Sequence, residues 1–462
     1  MLKSKLKTSN NMANIIKHET ITIKCSNPID VGESITFMAV ESNTKLFPTH
    51  MLWIYSNSEN LPKDEFMPTK YLQTTLSDTL NHFPLVAGRL TEDDKGNATV
   101  HMTNEGVFFT EAECPDQTVD FFVPRTSSDE QEFDYENINK SNLSVPVKNN
   151  WTGPCMSIQV TRLKCHSVIL TISAFHCLFD AQSMAHFINT WASAQPPNPK
   201  PFFDRNFILC PTQVDVSRPN DCVFTRTPIP PTVSTFVDPE QRQRVITRVY
   251  YFSSNELKNI KDEASKNLPN SIEFISTYDA LYAHMILVIA QATQTSLTDG
   301  IKILQSFNGR STFVSSVSSD VRNYFGSFPF WLYGVIPTDC EPTLSSLAQF
   351  IHRMYSKQTE SSLRIYNAYL TSDDGAIQKN RVDADIINRD FHCASWRKGH
   401  LLGAKFANSG YPIYSGPGTH LYPRYFPMMD ANDHDESVNI ILGLRENDYQ
   451  RMIEQKLLHK YR

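Results

Sequence analysis

The chain has 462 residues, 40% apolar and 20% charged, a folded-protein composition in a length too great for one core. Forty-three Lys and Arg against 49 Asp and Glu leave a net charge of −6. That balance argues against nucleic acid as a partner, because phosphate binding needs a concentrated positive surface, yet it leaves room for an anionic co-substrate held by a few local cations.

The first 24 residues carry lysines but no apolar run of signal-peptide length, and no segment approaches the roughly 18 apolar residues of a membrane span. The nine cysteines are odd in number and lack zinc or redox spacing. A cytoplasmic setting and no membrane attachment are therefore expected. Asn97, Asn142 and Asn150 open N-x-[ST] triplets, read as chance.

In chain order, "TKYLQTTLSDTLNHFPLVAGRL" puts Leu72, Leu76, Leu80 and Phe83 on one helical face before Pro84 and Gly88 break it. "GRLTEDDKGNATVHM" then reads as a turn leading to a strand. "MSIQVTRLKCHSVILTISAFH" reads as two strands joined by a turn near Lys164–His166, with Val168, Leu170, Ile172 and Ala174 alternating. After Asp180, Met184, Phe187, Ile188 and Trp191 recur at helical spacing. Residues 196–235 are proline-rich and aperiodic, which predicts an extended linker. It separates an N-terminal domain, 1–195, from a C-terminal domain, 236–462. In the latter, "VITRVYYFSSNELKNIKDEA" is strand then helix, with Ser253 and Glu256 at capping-box spacing. "STYDALYAHMILVIAQA" is a long buried helix opened by Ser276 or Thr277. "GIKILQSFNGRS" is a strand ending at Asn308–Gly309, and "SVNIILGL" is a late strand before a polar helix. Irregular alternation of strands and helices in both halves predicts a two-domain α/β layered protein.

His176 closes an alternating strand just ahead of a helix, so its ring can project from a sheet edge. A histidine of ordinary pKa near ~6.5 is able to accept a proton at neutral pH. Taken alone, H-x-x-x-D is too short a pattern for more than Asp180 capping the helix and His176 lying in the core. The surrounding text adds more. His176 to Asp180 followed by "FINTWA", the "AGRL" turn, "STYDALYAHM", "NGRS", "NYFGSF" and "SWRKGHLLGAKFANSGYPIYSGPG" stand in one order over most of residues 35–445. In these segments the chain resembles the BAHD acyltransferases, most nearly the hydroxycinnamoyl transferases of secondary metabolism.

The resemblance implies two chloramphenicol-acetyltransferase-like α/β domains joined by a long crossover, with an active-site channel between them. It implies acyl transfer from acyl-CoA, as co-substrate, to a small-molecule alcohol or amine. His176 would be the base, with no covalent acyl-enzyme, no metal and no tightly bound cofactor. Asp180 would pair with Arg310 and brace the histidine loop. Ser253 and Thr277 would border CoA, with Lys258 and Lys261 weighed as replacements for a lysine that is Tyr251 here. Lys398, with Arg397 beside it, stands where an arginine of shikimate-acting relatives grips the acceptor. A monomer is expected. The chain departs from the family pattern at Ala181, where glycine is usual, and in "KFANSG", where D-F-G-W-G is usual; altered packing there without loss of chemistry is expected. A condensation-type domain of peptide synthesis shares the fold and histidine motif, but usually doubles the histidine, where Phe175 stands here. A non-catalytic binding protein with the same cleft is the remaining alternative. His82, His186 and His284 read as core or surface histidines, and "DANDHDESV", residues 430–438, as a solvated loop.

Overall fold

The structure is a computed structural model that describes residues 12–28, 31–45, 48–123, 132–148, 151–209, 217–225, 245–339, 342–372, 381–418, 422–432 and 434–462. Two sheets dominate it. The first has six strands in the order Ile16–Ile23, Val107–Cys114, Met156–Leu163, Val168–Phe175, Pro48–Tyr55, Tyr414–Pro417. The second has seven, in the order Pro329–Val335, Lys302–Asn308, Phe391–Ser395, Tyr425–Asp430, Val438–Arg445, Val245–Phe252, Glu132–Asp134.

The sheets exchange edge strands. Tyr414–Pro417 comes from the C-terminal half yet pairs antiparallel with Pro48–Tyr55, while Glu132–Asp134 comes from the N-terminal half and pairs with Val245–Phe252. The division of the chain at the proline-rich segment did not anticipate this. Four-residue and three-residue strands carry almost no sequence signal, and their pairing is decided by long-range contacts. Of the proline-rich segment itself, 210–216 and 226–235 lie outside the described residues.

The strand that leads to the histidine is buried along its whole length: Met156–Leu163 and Pro48–Tyr55 pair with its two edges, and its apolar side chains join the core around the first sheet. Its predicted alternation is a pattern of chemistry rather than of exposure: Thr171 and Ser173 are as buried as Leu170 and Ile172. Leu72, Leu76, Leu80 and Phe83 are wholly buried, as the helical spacing predicts, in the helix Thr69–Leu80 and the turn beyond it. "GRLTEDDKGNATVHM" forms a two-stranded hairpin, Arg89–Glu92 against Ala98–His101. Ser276, not Thr277, caps the long helix Thr277–Thr293, with Asp279 completing the box. Ser253 caps Ser254–Ala264, but Glu256 turns its carboxylate to His459 instead of back to the cap.

One large apolar core surrounds the first sheet and draws in Val249, Phe325, Leu401, Phe406, Met429 and Ile441 from the second half. A second core lies between the second sheet and its helices, and a third, rich in aromatic side chains, links Met38 and Ala39 to Phe207, Phe313, Tyr324 and Phe328. The two halves therefore share cores instead of merely touching.

Candidate active site

His176 is the first residue beyond the strand Val168–Phe175. A tight turn follows: the Leu178 N–H donates to the Phe175 carbonyl at 3.0 Å and the Phe179 N–H to the His176 carbonyl at 3.2 Å. The helix Ala181–Ser193 begins at once. A short connection of this kind leaves the histidine no freedom to fold back into the strand, so its ring faces the junction of the two halves. There its Nδ1 lies 3.1 Å from Ser327 Oγ, across 151 residues of sequence. Nε2 makes no hydrogen bond to another residue among the described residues. Burial lowers the pKa of the ring below its ordinary 6.5, while its own backbone carbonyl and the charge of Asp180 oppose that fall. Burial thus favours the neutral form of the imidazole.

Asp180 does both things that its position allowed. Its Oδ1 accepts from the Ser183 N–H at 2.9 Å, which makes it the helix cap. It also receives a two-pronged contact from Arg310, with Nη1 at 2.6 Å from Oδ2 and Nη2 at 3.0 Å from Oδ1. The Phe328 N–H donates to Oδ2 at 3.0 Å. All acceptor directions of the carboxylate are thus spent away from the histidine ring. Burial pushes this carboxyl up, but Arg310 and the N–H groups of Ser183 and Phe328 together hold it below the ordinary carboxylate range. Ala181 begins the helix without a positive φ, so the missing glycine costs no backbone strain.

Arg310 is 2% exposed. Besides Asp180, it donates through Nε to the Tyr324 carbonyl at 3.0 Å and through Nη2 to the Gly326 carbonyl at 2.9 Å. A second buried pair lies on the other side of the same segment: Arg205 donates to the Glu41 carboxylate at 3.1 and 3.2 Å and to the Phe325 carbonyl at 3.2 Å. Glu41 also accepts from the Tyr324 hydroxyl at 2.7 Å and from the Met38 N–H at 2.9 Å. Sequence reasoning did not single out Glu41, Arg205 or Ser327. The available signal was an acid inside the apolar run "FMAVES" and an arginine in an aromatic stretch, "PFFDRNF", both costly to bury unless each meets the other.

Gly326 fits between these pairs because it has no side chain: a Cβ there would come within 2.1 Å of Glu41 Oε1 and 2.9 Å of the Tyr324 ring. Gly326→Ala is expected to lower stability by about 1–3 kcal/mol through overpacking, read as a fall in the thermal midpoint.

The remaining predicted residues are more scattered. Ser253 and Thr277 stand at the N-termini of the helices Ser254–Ala264 and Thr277–Thr293, where free backbone N–H groups favour anions. Lys258 is paired with Asp262 on the exposed face of its helix. Arg397 is tied to Asp430 at 3.1 Å and Glu436 at 3.0 Å. Lys398 is exposed, and its backbone N–H donates to Asp430 at 2.7 Å. A small cleft lies between the edge strand Tyr414–Pro417 and the second sheet, lined by Trp396, Leu401, Leu402, Ser415, Met429 and Asp430.

In "KFANSG", Phe406 packs edge-on to Trp191 at 5.0 Å and to Tyr55 at 5.9 Å, so the phenylalanine retained from the usual motif fills the aromatic site. His284 and His186 give their Nε2 protons to the Leu458 and Pro199 carbonyls, consistent with structural roles. Among the described residues, no three His, Cys, Asp or Glu side chains are grouped to hold a metal ion, and no helix is long and apolar enough to cross a membrane.

A sequence model described as the Transferase family matches residues 13–457. The chain is similar to an omega-hydroxypalmitate O-feruloyl transferase of Arabidopsis thaliana, 23% identical over 81% of this chain and 78% of the relative. It is similar also to a shikimate O-hydroxycinnamoyltransferase of Nicotiana tabacum, 24% identical over 85% of this chain and 88% of the relative. Among solved structures, F. sporotrichioides TRI101 complexed with coenzyme A and T-2 matches with a TM-score of 0.69 at 17% identity, over 92% of this chain and 98% of that one. That likeness establishes the two-domain, chloramphenicol-acetyltransferase-like α/β fold.

Fold and family together define a CoA-dependent acyltransferase. The chain belongs to the BAHD family of these enzymes.

Proposed function

We propose that the chain transfers an acyl group from acyl-CoA to a hydroxyl or amine of a small molecule, with His176 as general base and no acyl-enzyme. The observation that carries this reading is a partly buried histidine at the junction of the two halves, with Nδ1 against Ser327 Oγ at 3.1 Å and, among the described residues, no hydrogen-bond partner on Nε2. Such a ring takes the proton of the acceptor group at Nε2 as that group attacks the thioester carbonyl. The tetrahedral intermediate then expels the CoA thiolate, and the imidazolium returns a proton. A positioned base accounts for about 10²–10⁴-fold, and holding both substrates together supplies much of the rest.

Asp180 and Arg310 act as a brace and not as further acid–base groups, since each is fully engaged by the other and by backbone. Ser253 and Thr277 are the CoA-side contacts of this reading. The Ser253 hydroxyl accepts from Glu256 N–H at 3.2 Å, which leaves its own proton for a phosphate oxygen. Lys398 is a better acceptor-side cation than Arg397, whose charge is already met by two carboxylates. Relatives named as feruloyl and hydroxycinnamoyl transferases support an aromatic acyl donor. The described cysteines are all free, which supports a reducing, cytoplasmic setting; the enzyme is taken as a monomer.

The test is thiol release from acetyl-, malonyl- and p-coumaroyl-CoA against a panel of alcohols, amines and hydroxy acids, followed across pH. Acceptor-dependent release is expected, greatest with the aromatic donor. Only the neutral ring accepts a proton, and its pKa lies below 6.5. Hence kcat/KM should be level through neutrality and fall only on the acid side of the ordinary histidine range. No release with any donor, together with no rise in thermal midpoint in millimolar CoA, would favour the binding-protein alternative.

A further inference from the structure

With His176 read as the base, its other ring nitrogen acquires a task. A neutral imidazole carries one proton, and the partner of one nitrogen decides which nitrogen is left to act. Nε2 can accept the acceptor's proton only if Nδ1 holds the ring's own. In many histidine bases a carboxylate fixes this, but here Asp180 is turned to Arg310 and to the N–H groups of Ser183 and Phe328. The partner that another segment brings to Nδ1 is the hydroxyl oxygen of Ser327, at 3.1 Å, beside the histidine's own backbone carbonyl. We infer that Ser327 is the positioning residue of the reaction: it accepts the Nδ1–H hydrogen bond, fixes that tautomer, and leaves Nε2 free to take the proton. This rests on the reading of His176 as base.

The way Ser327 is held supports the role. It is wholly buried, and its own N–H donates to the Cys177 carbonyl at 3.3 Å, beside the histidine. The whole of Tyr324–Phe328 is fixed from outside. Arg310 takes the carbonyls of Tyr324 and Gly326, Arg205 takes that of Phe325, and Asp180 takes the Phe328 N–H. Two buried arginines, one on each side, hold five residues of which the fourth, Ser327, places its hydroxyl against the ring. Thr44 Oγ1 lies 3.4 Å from the same oxygen and gives its proton to the Glu41 carbonyl at 2.7 Å. A serine with one short rotor on so constrained a backbone places its oxygen with little spread.

The test uses the full chain with Ser327→Ala and with Ser327→Cys, which keeps the size but accepts hydrogen bonds poorly. Three quantities are read: kcat and KM for acyl-CoA, the thermal midpoint, and the ring ¹⁵N shifts of His176 in histidine-labelled protein, its signal identified by its loss in His176→Ala. Wild type is expected to carry the proton on Nδ1. Both variants should show mixed tautomers and a kcat lower by about 10- to 100-fold, the usual cost of losing a group that orients a functional histidine. KM should hold within about threefold, since an orienting contact acts on the chemical step. A wild-type ring protonated on Nε2, or variants whose kcat lies within about twofold of wild type, would overturn the inference. If Ser327→Ala does not fold, Ser327→Cys and the wild-type spectrum still decide. Activity retained in His176→Ala would instead overturn the reading of His176, which separates the two failures.

Discussion

His176→Ala is expected to lower kcat by about 10²–10⁴-fold in the thiol-release assay, while CoA still raises the thermal midpoint. The ring is partly buried, and the hydrogen bond that ties it to another segment, among the described residues, is the one to Ser327. Removing it leaves a small void and frees the Ser327 hydroxyl, so the fold should survive where the chemistry does not. His176→Gln is a sharper comparison. It fills more of the space and can still meet Ser327, but it cannot take up a proton. If glutamine and alanine fail alike, the loss belongs to proton transfer and not to packing. If either retains more than about a tenth of the activity, the ring is structural and another group carries the reaction.

Arg310→Ala should cost about 3–5 kcal/mol of stability, the penalty for leaving a buried carboxylate without its partner, and should lower activity as well. The expected size follows from what the guanidinium holds: Asp180 by two bonds, and the carbonyls of Tyr324 and Gly326. Removing it unpairs acceptors on both sides of the junction, and the segment bearing Ser327 loses one of its two clamps. Thermal or urea unfolding measures the loss. Arg310→Lys should recover only part of it, because an ammonium cannot span the two carboxylate oxygens and two carbonyls. The pH dependence gives a second check. Folded Asp180 is held below its ordinary 3.8. Its contribution to stability is therefore present above that value and lost as pH falls through the lowered folded pKa. The gap between wild type and Arg310→Ala should narrow in that acid range. A gap unchanged down to pH 2 would mean that the pair is not what the arginine stabilises.

Much of this site could be read from the chain because its parts are local. The apolar run Val168–Phe175, the cap at Asp180 and the helical spacing of Met184, Phe187, Ile188 and Trp191 lie within one stretch, and the short turn between them fixes where His176 must emerge. The resemblance to the BAHD pattern added Arg310 as a partner, and the structure brings it to Asp180. What remained hidden were contacts between distant segments of ordinary appearance. Ser327 sits in "NYFGSF", which had been noted as a motif, but a serine gives no sign in sequence that a histidine 151 residues away will meet it. Glu41 and Arg205 were passed over because a single charge in an apolar stretch points to burial only once its counter-charge is known.

The amino-acid sequence thus determined the class of fold, the position of the histidine at a strand end, and the cap that sets the following helix, since each follows from periodicity and local hydrogen bonding. Only the tertiary structure decided that the two halves trade edge strands, that Ser327 meets the histidine, and that two arginines hold the segment opposite the ring. Those features depend on which buried polar groups find partners across the junction. In a low-dielectric interior an unpaired charge is too costly to persist, so the pairing is settled by the packed whole and not by any one stretch of chain.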